Sequence, residues 1–380
     1  MKQIIIIPDS FKGTLDAPAV CEAMRRGVHA VWPDCRTVLL PIADGGEGTV
    51  DCFLRALPGA VPVRAEVTGP FDGETVTARY ARAGQTAVIE MAAAASLPMV
   101  EGREDPCRAT TRGVGELIAH ATAHGARRII LGLGGSCTND CGVGMAAALG
   151  ARFYDRTGRP FLPRADTLEQ IARLDCSAVR ARLAGIEIVA MCDIDNPLYG
   201  PQGAAYVFAP QKGASPAVVT RLDENLRAIA ALIRRELGLD VQRLPGAGAA
   251  GGLGAGVAAF LGGRLQSGID TVLDLTGFDR LLAGTDLVLT GEGRCDSQSL
   301  HGKALAGIAR RTRAAGVPLA VFAGAVGDDL DRRRAAELGV SAVFPIHPAP
   351  GTFAQVRGES APHLTAAVAN AMGLLRAVGL

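Results

Sequence analysis

Residues 129–145 read Ile129-Ile-Leu-Gly-Leu-Gly-Gly-Ser-Cys-Thr-Asn-Asp-Cys-Gly-Val-Gly-Met145. The first five residues are mostly apolar and β-branched, which is typical of a buried strand. Glycines and small polar residues follow, and the apolar run that begins at Met145 predicts a helix. A strand that leads through such a loop into a helix leaves backbone N–H groups pointing at a common space, and proteins commonly hold phosphate in this way. A plain capped turn is the alternative, but the number of small and polar residues favours the anion site.

Chain length, net charge and cysteine content exclude several classes of protein. The chain has 380 residues, which is long enough for two domains because single cores stop growing near ~250–300 residues. It carries 39 Lys and Arg against 38 Asp and Glu, for a net charge of +1. This balance argues against a nucleic-acid or membrane-surface partner. Nine unevenly spaced cysteines, with no secretory signal or spanning segment, predict a cytoplasmic protein, and a homo-oligomer stays open.

Alternating strands and helices at both ends of the chain predict an α/β fold. The strand Gln3–Ile7, which is apolar from Ile4 onward, is typical of a parallel sheet that is buried on both faces. Residues 61–82 differ, since their alternating apolar residues predict antiparallel strands. We therefore expect residues 1–60 and 281–380 to form a doubly wound parallel sheet, with residues 61–280 inserted as a second domain.

Polar side chains follow several of the predicted strands. Ser10 and Lys12 come after the first strand, where such sheets meet their ligands, although Lys12 is equally well explained as a surface lysine. Asp44 follows the next strand and is interpreted as a ligand-binding residue, with a helix cap as the alternative. Asp193 comes directly after the strand Ile186–Met191, in a position that suits catalysis.

The densest charge cluster follows the strand Asp286–Thr290 and comprises Glu292, Arg294, Asp296 and Lys303. A further lysine, Lys212, stands in a predicted turn. The most glycine-rich run, Pro245–Gly256, matches the spacing of a dinucleotide fingerprint, but no apolar strand precedes it. We interpret this run as a flexible loop that closes over a ligand.

This inventory of residues fits phosphoryl transfer. Glycine loops and cations hold phosphate oxygens, carboxylates hold Mg²⁺, and one Asp takes a proton from the accepting hydroxyl. The sequence contains neither a Walker A motif nor a Gly-Xaa-Ser-Xaa-Gly elbow. A non-catalytic regulator that binds a sugar acid or a nucleotide is the alternative from another class.

Six motifs, in order along nearly the whole chain, resemble the bacterial type I glycerate kinase family. They are Pro8-Asp-Ser-Phe-Lys-Gly13, Ala43-Asp-Gly-Gly-Glu-Gly-Thr49, Gly134-Gly-Ser-Cys-Thr-Asn-Asp140, Cys192-Asp-Ile-Asp-Asn-Pro-Leu198, Pro210-Gln-Lys-Gly213 and Thr290-Gly-Glu-Gly-Arg-Cys-Asp-Ser-Gln298. The resemblance implies ATP-dependent phosphorylation of D-glycerate with Mg²⁺, usually to 2-phosphoglycerate, with 3-phosphoglycerate as the other product. A kinase for another small hydroxy acid is the runner-up.

The resemblance also implies an architecture. It consists of one Rossmann- or flavodoxin-like domain and an inserted α/β domain that faces it across the active-site cleft. The family usually has Gly where Cys141 stands, so we expect local strain if that position needs a positive φ.

Roles for individual residues are hypotheses that accompany the resemblance. Asp193 is the first choice as the catalytic base, with Asp296 as its rival and Lys12 as a further catalytic residue. The predicted glycerate-binding residues are Ser10, Lys12, Asp44 and Arg294. The predicted ATP-binding residues are Gly134, Gly135, Ser136, Thr138, Asn139, Lys212 and Lys303. The predicted Mg²⁺ ligands are Asp140 and Glu292, with Asp296 as an alternative.

Overall fold

The structure is a computed structural model that describes residues 1–42, 45–46, 48–300, 304–349 and 351–379. Its strands are β1 (Gln3–Ile6), β2 (Arg36–Leu39), β3 (Val61–Thr68), β4 (Thr75–Ala83), β5 (Thr86–Glu90), β6 (Arg128–Gly132), β7 (Arg152–Tyr154), β8 (Pro160–Phe161), β9 (Arg173–Asp175), β10 (Glu187–Met191), β11 (Arg264–Gln266), β12 (Leu287–Cys295), β13 (Leu319–Val326) and β14 (Val340–Pro345).

The helices within the same described residues alternate with these strands along most of the chain. They are α1 (Ala17–Val31), α2 (Thr49–Ala56), α3 (Ala92–Ala95), α4 (Arg112–Ala123), α5 (Val143–Ala148), α6 (Ser177–Arg182), α7 (Ala204–Phe208), α8 (Pro216–Leu237), α9 (Ala249–Leu261), α10 (Gly268–Thr276), α11 (Phe278–Leu282), α12 (Ala304–Ala314), α13 (Arg332–Leu338), α14 (Phe353–Val356) and α15 (Ser360–Ala377). This alternation confirms the predicted α/β class.

The chain divides into two compact units. The first unit comprises Met1–Ala43, Arg55–Leu57 and Gly268–Leu380, and the second comprises Asp44–Leu54 and Pro58–Ser267. The second unit thus begins before the sequence-based boundary at residue 60, and the first resumes before the boundary at residue 281. The predicted placement of the active site between the two domains stays a prediction.

The first unit contains a five-stranded parallel sheet in the order β14-β13-β12-β1-β2. Strand β1 lies inside this sheet, with Ile5 aligned to Val288 on one side and to Val38 on the other. The strand order reverses between β1 and β12, because β2 continues to one side of β1 and β13 to the other. In open α/β sheets, ligands bind at the carboxyl ends of the strands beside such a switch point.

Helices cover both faces of this sheet. Ile4 and Ile6 belong to one buried apolar cluster, together with residues of α1 and α15. Ile5 and Ile7 belong to another, together with residues of α10 and α12. Successive side chains of a strand point to opposite faces, so a strand that is buried on both sides must be apolar throughout. The run of four isoleucines from Ile4 to Ile7 is explained by this doubly wound arrangement.

The second unit contains a six-stranded mixed sheet in the order β11-β10-β6-β5-β4-β3. Strands β5, β6, β10 and β11 are parallel, whereas β3 and β4 are antiparallel to their neighbours, as the alternating sequence of residues 61–82 predicts. Glu90, Gly132 and Met191 are aligned at the carboxyl ends of β5, β6 and β10. The loops that follow these three strands therefore start at one edge of the sheet.

Two features of the second unit differ from what the sequence predicts. A small antiparallel sheet, β8-β7-β9, was not predicted, because its strands have only two or three residues each. The glycine-rich run does not form an open loop, since most of it is buried; α9 begins within it at Ala249 but is interrupted by the positive φ of Ala250, Gly251 and Gly252. A Cβ at Gly256 would lie 2.3 Å from the carbonyl oxygen of Cys141 and one at Gly254 would lie 2.2 Å from that of Gly246, so glycine here permits close packing of the backbone.

Among the described residues, no helix is both long and apolar enough to cross a membrane.

Candidate active site

The loop after β6 is held by a second glycine-rich segment. The backbone N–H of Gly134 donates to the carbonyl oxygen of Gly45 over 2.9 Å. A Cβ at Gly134 would lie 2.5 Å from the Cα of Gly46, and a Cβ at Gly132 would lie 2.5 Å from the carbonyl oxygen of Gly45. Two backbones can approach this closely only where both lack side chains. The paired glycines at these positions thus fix the strand end.

A pocket of about 260 Å³ opens at this strand end in the second unit. Its polar lining includes Ser136, Asp193 and Lys212, beside the backbone of Gly134 and Gly135. Its apolar wall is formed by Leu97, Leu133, Met191, Ile194 and Phe208, and Gly46, Cys192, Gln211, Ala249 and Ala250 complete it. Small-molecule sites commonly combine apolar walls with a few convergent polar groups.

Lys212 is the most unusual side chain of this pocket. It is only 3 % exposed, and its Nζ donates to the Oγ of Ser136 over 2.8 Å and to the carbonyl oxygen of Thr138 over 2.7 Å. Burial lowers the pKa of Lys212 to about 8, although Cys137 and Asp140 act in the opposite direction. Among the described residues, no carboxylate forms an ion pair with Lys212. A buried ammonium that lacks an ion-pair partner favours an anionic ligand in the adjoining space.

Asp140 has a structural role, because its carboxylate is buried and hydrogen-bonded. Its side chain is fully buried and accepts hydrogen bonds from the N–H and Oγ1 of Thr111, each over 2.9 Å, and from the N–H groups of Gly142 and Gly144 over 3.1 and 3.3 Å. Burial raises the pKa of Asp140, while these hydrogen bonds oppose the rise. Four donors already satisfy the two oxygens, so the geometry does not favour the predicted role of Asp140 as a Mg²⁺ ligand.

Thr138 and Asn139 lie beneath the pocket surface and are both 0 % exposed. Thr138 donates its hydroxyl to the carbonyl oxygen of Ala250 over 3.3 Å, which leaves it no hydroxyl proton for a phosphate. Neither amide atom of the Asn139 side chain has a hydrogen-bond partner among the described residues. Of the predicted ATP-binding hydroxyl and amide side chains, only that of Ser136 therefore reaches the pocket.

The loop contains strained backbone at Cys141, where the resemblance predicts strain if φ is positive. Cys141 has a φ of +53°, in the left-handed region that glycine occupies without steric cost. Ala250, on the opposing segment, has a φ of +52° and is followed by two glycines with positive φ. Strained backbone of this kind is often found at functional sites.

Thr111 is a residue of this network that the sequence analysis did not single out. Besides bonding Asp140, its Oγ1 accepts the N–H of Met145 over 2.9 Å, at the start of α5. It precedes α4 but makes no side-chain cap there. The pair Thr110-Thr111 before a helix normally indicates a cap, so local sequence gives no signal for this long-range role.

A second set of predicted residues meets at the switch point of the first unit. Ser10 and Lys12 follow β1, and a Cβ at Gly293 would lie 3.4 Å from the backbone nitrogen of Lys12. The guanidinium of Arg294 pairs with Asp296 over 3.2 Å, with exposed fractions of 65 % and 21 % for the two side chains. This cluster is more open to solvent than Lys212.

The carboxylates near this switch point are tied to the backbone that follows β12. Asp296 accepts the N–H of Gln298 over 3.0 Å, and Glu292 accepts the hydroxyl of Ser299 over 3.0 Å. No three His, Cys, Asp or Glu side chains of the described residues come together as metal ligands. Mg²⁺ commonly uses one or two carboxylates with waters and substrate phosphates, so Glu292 and Asp296 fit such a site. Asp44 and Lys303 lie outside the described residues.

These observations describe an α/β protein with a glycine-lined pocket that contains a buried lysine, features that also occur in phosphotransferases. The model of the glycerate kinase family matches residues 4–376. A glycerate kinase of Bacillus cereus (strain ATCC 10987 / NRS 248) is 46 % identical over 354 residues, which cover 92 % of each chain. A glycerate 2-kinase of Escherichia coli (strain K12) is 43 % identical over 354 residues, again 92 % of each chain.

A solved structure shows the same relationship. A crystal structure of a protein assigned as glycerate kinase 2 of Salmonella typhimurium LT2 superposes with a TM-score of 0.87, at 41 % identity and over 99 % of each chain. The chain belongs to the glycerate kinase family.

Proposed function

We propose that this chain transfers the terminal phosphoryl group of ATP to a hydroxyl of D-glycerate, with 2-phosphoglycerate as the product. Family membership makes the chain a phosphotransferase with an alcohol acceptor, and its relatives include a glycerate 2-kinase. The six ordered motifs support the type I branch of the family. The composition supports a cytoplasmic location without nucleic-acid or membrane partners.

The observation that carries the proposal is the buried Lys212 beside the glycine loop. Its Nζ uses two hydrogen bonds to neutral oxygens, and an ammonium has three donors. A phosphate oxygen in the pocket would accept the third donor and supply a negative charge that no ion pair with a described residue provides. Charge-assisted hydrogen bonds of this type are roughly twice as strong as neutral ones. We therefore assign the nucleotide phosphates to the pocket that Gly134, Gly135 and Ser136 line.

Asp193 is the proposed base for the accepting hydroxyl. It is exposed and lines the same pocket as Lys212 and Ser136, directly after β10. A carboxylate there can take the hydroxyl proton as the oxygen attacks the terminal phosphorus and the bond to the leaving ADP oxygen breaks. Asp296 remains the rival, on the first unit.

The cations of the first unit are proposed to hold the glycerate carboxylate. Lys12 and Arg294 are exposed at the carboxyl ends of β1 and β12, and Ser10 adds a hydroxyl beside them. Glu292, with Asp296, is the proposed Mg²⁺ ligand. Held by these two carboxylates, Mg²⁺ would neutralise negative charge that develops during transfer. Asp140 is left out of this set because it is fully buried and satisfied.

The direct test incubates the purified protein with ATP, Mg²⁺ and D-glycerate and identifies the product by ³¹P and ¹³C NMR. We expect 2-phosphoglycerate and stoichiometric ADP. A 3-phosphoglycerate product would refute the regiochemistry alone. If ATP is consumed with another small hydroxy acid and not with glycerate, the substrate is wrong. If ATP is not consumed with any acceptor, the regulator alternative replaces the enzyme.

A further inference from the structure

The glycine-rich run of residues 245–256 is a sequence motif that the proposed reaction leaves without a role. Its first glycines are buried, and the backbone around them is used inside the protein rather than offered to a ligand. The N–H of Ala247 donates to the carbonyl oxygen of Leu244 over 2.9 Å, and the carbonyl oxygen of Ala247 accepts the N–H of Ala255 over 3.1 Å. These glycines therefore serve packing, and the groups that they contact indicate their role.

Gly248 lies against the segment that carries Asp193. This segment, residues 192–198, contains neither a helix nor a strand, so regular hydrogen bonding does not hold it in place. The N–H of Gly248 donates to the carbonyl oxygen of Asn196 over 3.0 Å, and a Cβ at Gly248 would lie 2.4 Å from the carbonyl oxygen of Pro197. The φ of Gly248 is −76°, which any residue can adopt, so glycine is required here for the close approach alone.

Cys192 fixes the same segment on the other side of Asp193. Its thiol donates to the carbonyl oxygen of Ile194 over 3.3 Å and to that of Gly246 over 3.9 Å. A Cβ at Gly246 would lie only 2.7 Å from the Sγ of Cys192. The glycine run thus contacts the segment both before and after the exposed Asp193, and these contacts determine where its backbone lies.

The next residues of the run contact the loop that holds Lys212. The N–H of Cys141 donates to the carbonyl oxygen of Gly251 over 3.1 Å, and the hydroxyl of Thr138 donates to that of Ala250 over 3.3 Å. A Cβ at Gly251 would lie 2.0 Å from the carbonyl oxygen of Thr138, which accepts the Nζ of Lys212 over 2.7 Å. One continuous run of backbone therefore connects the Asp193 segment with the oxygen that holds the buried lysine.

We propose that Gly246 and Gly248 are positioning residues for phosphoryl transfer, which set the distance between Asp193 and the phosphates held by Lys212. The inference rests on the proposed function, in which Asp193 is the base. Neither glycine lines the pocket, so both act through the backbone that they contact. Reacting groups must approach to ~3–3.5 Å, and a misplacement of about 1 Å can cost ~10²-fold in rate. Contact between two backbones fixes such a distance well, because no side chain can change its rotamer there.

The test introduces Gly248→Ala, which adds a methyl group where the Asp193 segment must move to make room. We expect kcat with D-glycerate to fall by ~10²-fold. Calorimetric affinity for a non-hydrolysable ATP analogue should stay within about threefold, because the groups around Lys212 are not displaced. Gly27→Ala is the matched control, since its Cβ would lie 2.6 Å from the carbonyl oxygen of Thr365, between α1 and α15. We expect this control to lower the free energy of unfolding and to leave kcat unchanged.

A double-mutant cycle separates positioning from a general structural effect. If Gly248 acts through Asp193, Gly248→Ala should lower kcat in the wild-type background. In the Asp193→Asn background, where the base is already lost, it should change kcat by less than about threefold. Losses that multiply in the double variant would show that the two residues act independently, and they would overturn the proposal.

Failure of this proposal can be distinguished from failure of the proposed function. A folded Gly248→Ala protein with normal kcat rejects the positioning role, while a large loss in Asp193→Asn still supports the base. A wild-type protein that does not phosphorylate D-glycerate, or a near-normal kcat in Asp193→Asn, refutes the proposed function and the positioning role with it.

A second variant decides if Gly248→Ala does not fold by circular dichroism. Cys192→Ala removes both thiol hydrogen bonds of the Asp193 segment and adds no atoms. It should lower kcat by ~5-fold, the rate equivalent of one weak hydrogen bond, and keep the affinity for the ATP analogue. A normal kcat in Cys192→Ala rejects the proposal.

Discussion

Lys212 is 3 % exposed and donates to two neutral oxygens, whereas Arg294 is 65 % exposed and pairs with the carboxylate of Asp296. Both cations stand near glycine-rich strand ends, one in each unit. The second unit surrounds its cation with fully buried loop residues, and the first leaves its cation in solvent. The two strand ends thus look alike in sequence but differ in electrostatics.

This difference indicates which cation is specialised for function. An exposed ion pair contributes ~0–1 kcal/mol to stability and is easily replaced. A buried ammonium without an ion-pair partner opposes folding, because charge is expensive to remove from water. A chain that keeps such a lysine gains little stability from its charge. The proposed role in anion binding would account for the buried lysine.

The largest effect is expected for Lys212→Met. Loss of the charged donor should lower kcat/KM for ATP by about 10³-fold, as for other preorganised donors of this kind. The variant should stay folded, because removal of the buried charge offsets the loss of two hydrogen bonds. Steady-state kinetics and circular dichroism measure both. If the folded Lys212→Met protein keeps a near-normal kcat/KM for ATP, the buried Lys212 is no more specialised for function than the exposed Arg294.

Asp193→Asn and Asp296→Asn compare the two units as sources of the base. If Asp193 takes the hydroxyl proton, Asp193→Asn should lower kcat by at least ~10²-fold and leave the free energy of unfolding nearly unchanged, because the side chain is exposed. Asp296→Asn should then act mainly on KM through the Mg²⁺ site. The reverse pattern of kcat values would reassign the base to the first unit.

The pH dependence of nucleotide binding sharpens the contrast further. The pKa of Lys212 is lowered to about 8, so the free protein loses this charge as pH rises through that value. A bound anion stabilises the charged form, so ATP affinity should fall by ~10-fold per unit of pH above about 8. In Lys212→Arg the guanidinium stays charged, and this pH dependence should disappear. An identical profile in the two proteins would mean that another group titrates.

The smallest effects concern the stability of the loop beneath the pocket. A Cβ at Gly251 would lie 2.0 Å from the carbonyl oxygen of Thr138, which is the oxygen that binds Lys212. Gly251→Ala should therefore destabilise by about 2–3 kcal/mol in chemical denaturation. Ala250→Gly is the matched control, since it relieves a positive φ and should change stability by less than about 1 kcal/mol. Equal midpoints for both variants would show that the loop relaxes freely.

Much of this arrangement follows from local sequence. The apolar run before Pro8 predicts a strand that is buried on both faces, and the glycines after Ile129–Leu133 predict a backbone-lined strand end. The positive φ of Cys141 meets the condition under which strain is expected there, but that condition comes from the resemblance to the family and not from local sequence. The first two inferences depend on backbone conformation or burial, which neighbouring residues largely determine.

Partners distant in sequence could not be predicted. Asp140 was expected to bind Mg²⁺, but its carboxylate bonds Thr111, which lies 29 positions earlier. The glycine-rich run before Gly256 was interpreted as a flexible loop, because local sequence cannot show that it packs against the backbone of Cys141. Both contacts join segments that are far apart in the sequence, so they depend on the overall fold. From residue type alone, Asp140 and Glu292 are both predicted to be Mg²⁺ ligands. The structure distinguishes them because Asp140 is fully buried and Glu292 is not.

The central claim is that Lys212 holds the nucleotide phosphates, and calorimetric titration of a non-hydrolysable ATP analogue tests it most directly. Wild type, Lys212→Met and the matched exposed-lysine variant Lys12→Met should be compared at the same salt concentration. We predict that Lys212→Met weakens binding by ~100-fold or more, consistent with loss of a charge-assisted hydrogen bond in a buried site. Lys12→Met should leave the affinity within about threefold. Equal binding by wild type and Lys212→Met would contradict the account.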